Sequence, residues 1–143
     1  MEDLVAGSAQ AFDQSNNQLC AVVPKLWGRE EWIVNNEKYC GKKLIFNQGF
    51  SCSLHFHKIK EESFYILSGK VFLELVDSNK RFNRVMNPRD IHHIKIGVWH
   101  RLTALTDAEV MEFSTHHQDD DSYRVENARQ VDLLQEPYCH AHF

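Results

Sequence analysis

From Val22 onward the chain is a succession of short segments, each four to eight residues long, rich in β-branched and aromatic residues. They cover residues 31–34, 39–46, 51–57, 63–67, 70–76, 81–85, 91–96, 101–104 and 110–115. Turn residues punctuate them: Asn47-Gln48-Gly49, Ser68-Gly69, Asp77-Ser78-Asn79, Asn87-Pro88-Arg89-Asp90, Gly97 and Thr106-Asp107. Strands this short and this regularly spaced leave no room for helical crossovers and predict an all-β sandwich or barrel. At 143 residues the chain fits one domain with a real core.

Within this pattern, residues 49–69 concentrate the chemistry. His55 and His57 stand two apart in an alternating segment, so both imidazoles project from one face of a strand. Glu62 follows after a short charged break, with Glu61 beside it as an alternative carboxylate, and His100 lies about forty residues on, in Gly97-Val98-Trp99-His100. Two histidines, a carboxylate and a distant third histidine make a plausible ligand set for a divalent ion. Cys52 falls in the phase of Leu54 and Phe56, opposite the histidines, which disfavours it as a ligand.

The spaced pattern Gly49-x5-His55-x-His57-x4-Glu62-x6-Gly69 resembles the first motif of the cupin superfamily, and Gly97-x2-His100 resembles the core of the second. Arg89, Lys95 and Ala104 stand where the second motif often has Gly, Pro and Asn. The resemblance implies a double-stranded β-helix, a jelly-roll barrel, over residues 22–129, with an N-terminal arm over 1–21 and a tail over 130–143. It also implies that His55, His57, Glu62 and His100 hold one divalent transition metal ion, of the Mn, Fe, Co, Ni or Zn group. Pro24-x2-Trp27-Gly28, Ser53-Leu54, Gly97-x2-His100-Arg101-Leu102, Met111-Glu112-Phe113-Ser114 and residues 119–124 together are similar to the cupin domain of type II mannose-6-phosphate isomerases. That likeness implies an isomerase or epimerase of a sugar or sugar phosphate. A metal-dependent dioxygenase and a non-catalytic sugar- or metabolite-binding module are the alternatives.

An aldose–ketose isomerase needs a base for the α-proton and a cationic clamp for phosphate. Glu61, Glu74, Glu112, His92 and His117 are available as bases, and Glu112, His117 and Lys58 are taken as the catalytic candidates. Arg101, Lys95 and His92 are the candidates for substrate contact, with Lys58 a further cation, and Phe64, in phase with Glu62, is expected to wall the cavity. In the adjacent pairs His92-His93 and His116-His117, one member of each faces inward.

Sixteen Lys and Arg against twenty Asp and Glu give a net charge of −4 without long runs, so neither nucleic acid nor a membrane surface is expected as a partner. No apolar run approaches the roughly 20 residues of a membrane span, and the N-terminus lacks a signal-peptide pattern, so the cytoplasm is the default compartment. The four scattered cysteines read as free thiols. Residues 118–121 read as a solvated acidic loop, 122–135 as a further strand or short helix, and residues 4–12 as a turn of helix in the arm. Outward apolar residues Leu54, Phe56, Tyr65 and Leu67 point to a homodimer packed through a sheet face.

Overall fold

The computed structural model describes residues 18–141, so the expected helical turn at 4–12 lies outside the described residues. Two antiparallel sheets face each other, as a jelly-roll requires. In the first, the strands run in the order β1 (Ala21–Lys25), β2 (Gly28–Asn35), β3 (Cys40–Phe46), β11 (Ala108–Ser114), β6 (Glu62–Ser68), β9 (Ile91–Ile94). In the second, β10 (Trp99–Ala104) is central. One side of it pairs with β7 (Val71–Asp77), which pairs in turn with β8 (Lys80–Met86). Its other side pairs with an interrupted strand, β4 (Phe50–Ser51) and β5 (Leu54–Phe56). These carry β13 (Arg129–Gln130) and β12 (Tyr123–Glu126) at the edge.

The inner faces explain where the cavity lies. Along β3 the inward residues are Phe46, Leu44 and Lys42; along β11, Ala108, Val110 and Glu112; along β6, Ile66, Phe64 and Glu62; along β10, Ala104, Leu102 and His100, all buried. Cross-strand register aligns Phe46 with Ala108, Leu44 with Val110 and Lys42 with Glu112. Each strand therefore runs from apolar to polar toward the same end of the barrel. The apolar end, with Trp27, Val71, Leu73 and Met86, is the main core. Trp27 stacks on Phe46 with ring centroids 4.2 Å apart. The polar end is open to a cavity.

Some local expectations are met and others are corrected. β1 starts at Ala21 and includes Pro24; it is an edge strand, where a proline is tolerated. Residues 122–135 form β12 and β13 and no helix. The segment after residue 130 docks on the barrel through Tyr138 and Ala141, which form a second apolar cluster with Phe72 and Leu105. Leu54 is buried, while Leu67 is exposed and Phe56 half-buried between Trp99 and Tyr123. The cysteines at 20, 40, 52 and 139 are free.

The acidic stretch is not wholly solvated. Asp121, at the end of a short 3₁₀ turn (Asp119–Asp121), is buried and accepts backbone N–H bonds from Lys58, Ile59 and Lys60 at 2.9, 3.1 and 2.9 Å. Burial alone would raise this carboxyl, but the three N–H donors outweigh it and hold it below its ordinary value. A depressed carboxyl stabilises the fold above its unfolded value and loses that contribution as pH falls through the folded one. Asp121→Ala is therefore expected to cost about 2–4 kcal/mol in urea unfolding at pH 7. The difference from the wild-type chain should narrow as pH falls below about 4.

Candidate metal centre

His55 on β5, His57 just beyond it, Glu62 at the start of β6 and His100 on β10 converge on one point. Their donor atoms all lie within 4.8 Å of one another. His55 and His100 are directly paired across the β5–β10 ladder, and His57 follows on the same face as His55. Glu62 Oε1 is 2.6 Å from His100 Nε2 and 3.5 Å from His57 Nε2. Glu61, the alternative carboxylate, is exposed and stays outside the group.

The backbone orients each imidazole. Nδ1 of His55 lies 2.9 Å from the Ser53 carbonyl, Nδ1 of His57 3.0 Å from the Asp121 carbonyl, and Nδ1 of His100 2.9 Å from the Val98 carbonyl. A carbonyl only accepts, so each Nδ1 carries a proton and each Nε2 faces the centre, where a bound ion would take its lone pair. Burial acts against charge on His100, but Glu62 outweighs it and holds that imidazole above its ordinary value. His57 Nε2, His100 Nε2 and both Glu62 oxygens are buried and meet only ion-pair contacts, with one another and with Lys60, without a hydrogen bond of good geometry among the described residues. Such orphaned acceptors are costly unless something binds them. Three neutral imidazoles and a carboxylate fit one divalent transition metal ion. Burial pushes His55 down to about 3, which keeps it unprotonated and available as a donor. For Glu62 burial acts upward, but His100, His57 and Lys60 outweigh it and hold it well below the carboxylate range.

Beyond the donors lies a residue that sequence reasoning missed. Lys60 is only 3% exposed. Its ammonium sits 3.1 Å from Glu62 Oε2, 3.2 Å from Glu112 Oε2 and 3.1 Å from His117 Nδ1. Burial opposes its charge, yet the two carboxylates raise its pKa. Glu112 is shifted up by burial and by Glu62, against the pull of Lys60 and Lys42. His117 completes the chain: its Nδ1 accepts from Lys60, which leaves Nε2–H to donate to Asp119 Oδ1 at 2.9 Å. Farther up the wall, Trp32 Nε1–H donates to Glu30 Oε2 at 2.8 Å, and Lys42 lies 3.5 Å from the same oxygen and over the Trp32 ring.

These groups line a cavity of about 750 Å³, within the range of small-molecule sites. Of the sequence candidates, Glu112, His117 and Phe64 line it together with the four metal-group residues. Arg101, Lys58, Lys95 and His92 do not. Arg101 alternates with His100, so it points away and forks onto Glu74 while also pairing with Glu126. Lys58 lies over the outward Tyr123 ring, Lys95 is exposed, and His92 contacts Arg84. In the pair at 116 and 117, His117 faces inward and His116 is half-buried, its Nδ1 at the Asn36 carbonyl. Cys52 does line the cavity, because the break between β4 and β5 resets the alternation. Burial pushes its thiol up to about 12, which leaves it protonated and a poor ligand.

The family model for the cupin domain, Cupin_2, matches residues 43–116, more than half of the chain. This chain belongs to the cupin family. No curated protein matches it. Among solved structures, an oxalate decarboxylase of B. subtilis is similar at TM-score 0.68 and 18% identity, over 80% of this chain and 32% of that one. The capsular polysaccharide assembling protein CapF of Staphylococcus aureus is similar at TM-score 0.69 and 17% identity, over 80% and 34%. A Lactobacillus farciminis oxalate decarboxylase in complex with formate gives 0.67 and 17%, over 80% and 35%. The cupin thus spans about a third of the length of these chains, and the likeness is one of fold. Mn(II) centres are named for a B. subtilis oxalate decarboxylase structure.

Titration of the metal-free cupin with Co²⁺ should give one ion per chain. His57→Ala and Glu62→Gln should each weaken binding by more than the roughly 10–100-fold that loss of an outer-shell partner costs. Lys60→Met keeps all four donors but leaves two buried carboxylates uncompensated. It is expected to cost about 3–5 kcal/mol of stability, part of which Glu112→Gln restores in the double variant.

Proposed function

We propose that this cupin is a metal-dependent isomerase or epimerase that moves a proton at the carbon beside a carbonyl in a small sugar or sugar phosphate. The observation that carries the reading is the Lys60 bridge, which joins metal-group residue Glu62 to Glu112 and His117 in one buried array lining one cavity. The motif resemblance to type II mannose-6-phosphate isomerases supports it, and so does CapF, a fold neighbour named for capsular polysaccharide assembly.

His55, His57, Glu62 and His100 would hold the metal ion, which when bound would supply Lewis acidity. Glu112 is the base. Its carboxylate takes the α-proton and returns it to the neighbouring carbon, while the hydroxyl proton shifts between the two oxygens, so the step balances without an oxidant or reductant. A carboxylate whose pKa is raised suits this role, because proton transfer is most effective when the base is poised near the working pH. Lys60 fixes the orientation of Glu112, and His117, with both ring nitrogens engaged, positions Lys60. Phe64, Leu44 and Leu102 close the apolar end of the cavity against water. The reading includes a homodimer formed through a sheet face in the cytoplasm, supported by the exposed Leu67 and the half-open Phe56–Trp99–Tyr123 stack and measurable as a solution mass of two chains.

The Co²⁺- or Mn²⁺-loaded protein should exchange the C2 proton of an aldose or aldose phosphate with solvent deuterium, followed by NMR. Glu112→Gln should lower the exchange rate by about 10²–10⁴-fold with metal content unchanged. A loaded protein that exchanges no α-proton across a panel of aldoses, ketoses and their phosphates would sink the reading.

A further inference from the structure

The outer strand beside the metal group brings in a cation without an ion-pair partner among the described residues. In the β12–β5 ladder, Tyr123 pairs with Phe56 and Arg124 with His55. Tyr123 stacks on Phe56 on the outer face, with ring centroids 5.1 Å apart. Alternation therefore puts Arg124 on the face of His55, and Arg124 lines the cavity at its exposed rim with Ser53 and Ser122. Directly opposed residues of an antiparallel pair have Cα atoms about 5 Å apart, so the Arg124 backbone is held beside His55 and its side chain belongs to the cavity rim.

The other cations of the cavity are committed. Lys25 and Lys42 lie 3.7 and 3.5 Å from the Glu30 carboxylate, and Lys60 bridges Glu62 and Glu112. Arg124 has no carboxylate within ion-pair reach among the described residues. Four cations and four carboxylates line the cavity, counting the exposed Asp119, so a bound divalent ion leaves it with a net charge of about +2. A net positive cavity with one uncommitted planar fork at its mouth is complementary to an anion.

Resting on the metal-dependent reading above, we propose that Arg124 recognises an acidic group of the substrate. The ligand of this cavity is then an anion whose carboxylate or phosphate lies a few bonds from the oxygen that faces the metal group. Arg101, forked onto Glu74 and turned away from the cavity, does not compete for that role. Arg124 thus selects acidic substrates over neutral polyols and takes no part in proton transfer.

The test is calorimetric and needs no turnover. Co²⁺-loaded protein is titrated with lactate, with its neutral counterpart propane-1,2-diol, and with inorganic phosphate. At least one anion is expected to bind ten times or more tightly than the diol. Arg124→Gln should weaken that anion by about 10–100-fold, the loss of charge-assisted hydrogen bonds. It should leave Co²⁺ stoichiometry and diol binding unchanged, and Arg124→Lys should fall between the two. Lactate binding above phosphate assigns a carboxylate, and the reverse order a phosphate. The proposal is overturned if the diol binds as well as either anion, if neither anion binds, or if Arg124→Gln leaves anion affinity unaltered. The same comparison by thermal shift on EDTA-treated protein applies if Co²⁺ fails to load, and there too an Arg124-independent anion response overturns it. Absent proton exchange with intact Arg124-dependent binding counts against the isomerase reading alone.

Discussion

The buried ammonium of Lys60 organises the metal side of the polar end of this barrel. Lys60 reaches inward from the loop between β5 and β6 and meets two carboxylates that burial would otherwise drive to protonate. With it and the facing His100 and His57 in place, Glu62 keeps its negative charge for a metal, and Glu112 is held as its neighbour rather than its rival. The loop that delivers Lys60 depends in turn on Asp121, whose carboxylate gathers three consecutive N–H groups and whose own carbonyl fixes His57. One acidic side chain thereby shapes both the loop and a donor of the metal group.

The barrel divides its labour along the strand direction. Four strands each place apolar side chains at one end of their inner face and an ionisable or imidazole group, or its immediate neighbour, at the other. The apolar end supplies hydrophobic stabilisation; the polar end then tolerates buried charges because they are paired. Gly69 closes the β6–β7 turn with φ 78°, and a Cβ there would collide with the Asp107 carbonyl oxygen, so the end opposite the cavity is sealed by backbone packed against backbone.

Much of this was legible in the sequence, and for definite reasons. The alternation of residues 51–57 placed His55 and His57 on one face, because period-two geometry is written locally. Glu62 rather than Glu61, and the distant His100, came with the resemblance to the cupin motifs, and the four donors do converge. Lys60 was not legible. It lies in a charged loop, where a lysine ordinarily faces water, and only the Asp121 contact from sixty residues away turns it inward. Cys52 was misplaced because alternation was carried through a strand that in fact breaks at residues 52–53. Arg101 looked like a clamp from its place beside His100, yet that same adjacency sends it to the opposite face. Arg89, standing where the second motif often has Gly, adopts φ 76°, so the glycine-like backbone persists although the glycine does not.

The three imidazoles are held by main-chain oxygens of Ser53, Val98 and Asp121. Main-chain atoms survive almost any replacement of the side chains that carry them. The aim of the donors is therefore insulated from mutation of the surrounding wall, and residues such as Phe64, Glu112 and Arg124 are free to vary around it. A barrel built this way can change its ligand over evolutionary time while its inorganic centre stays where it is.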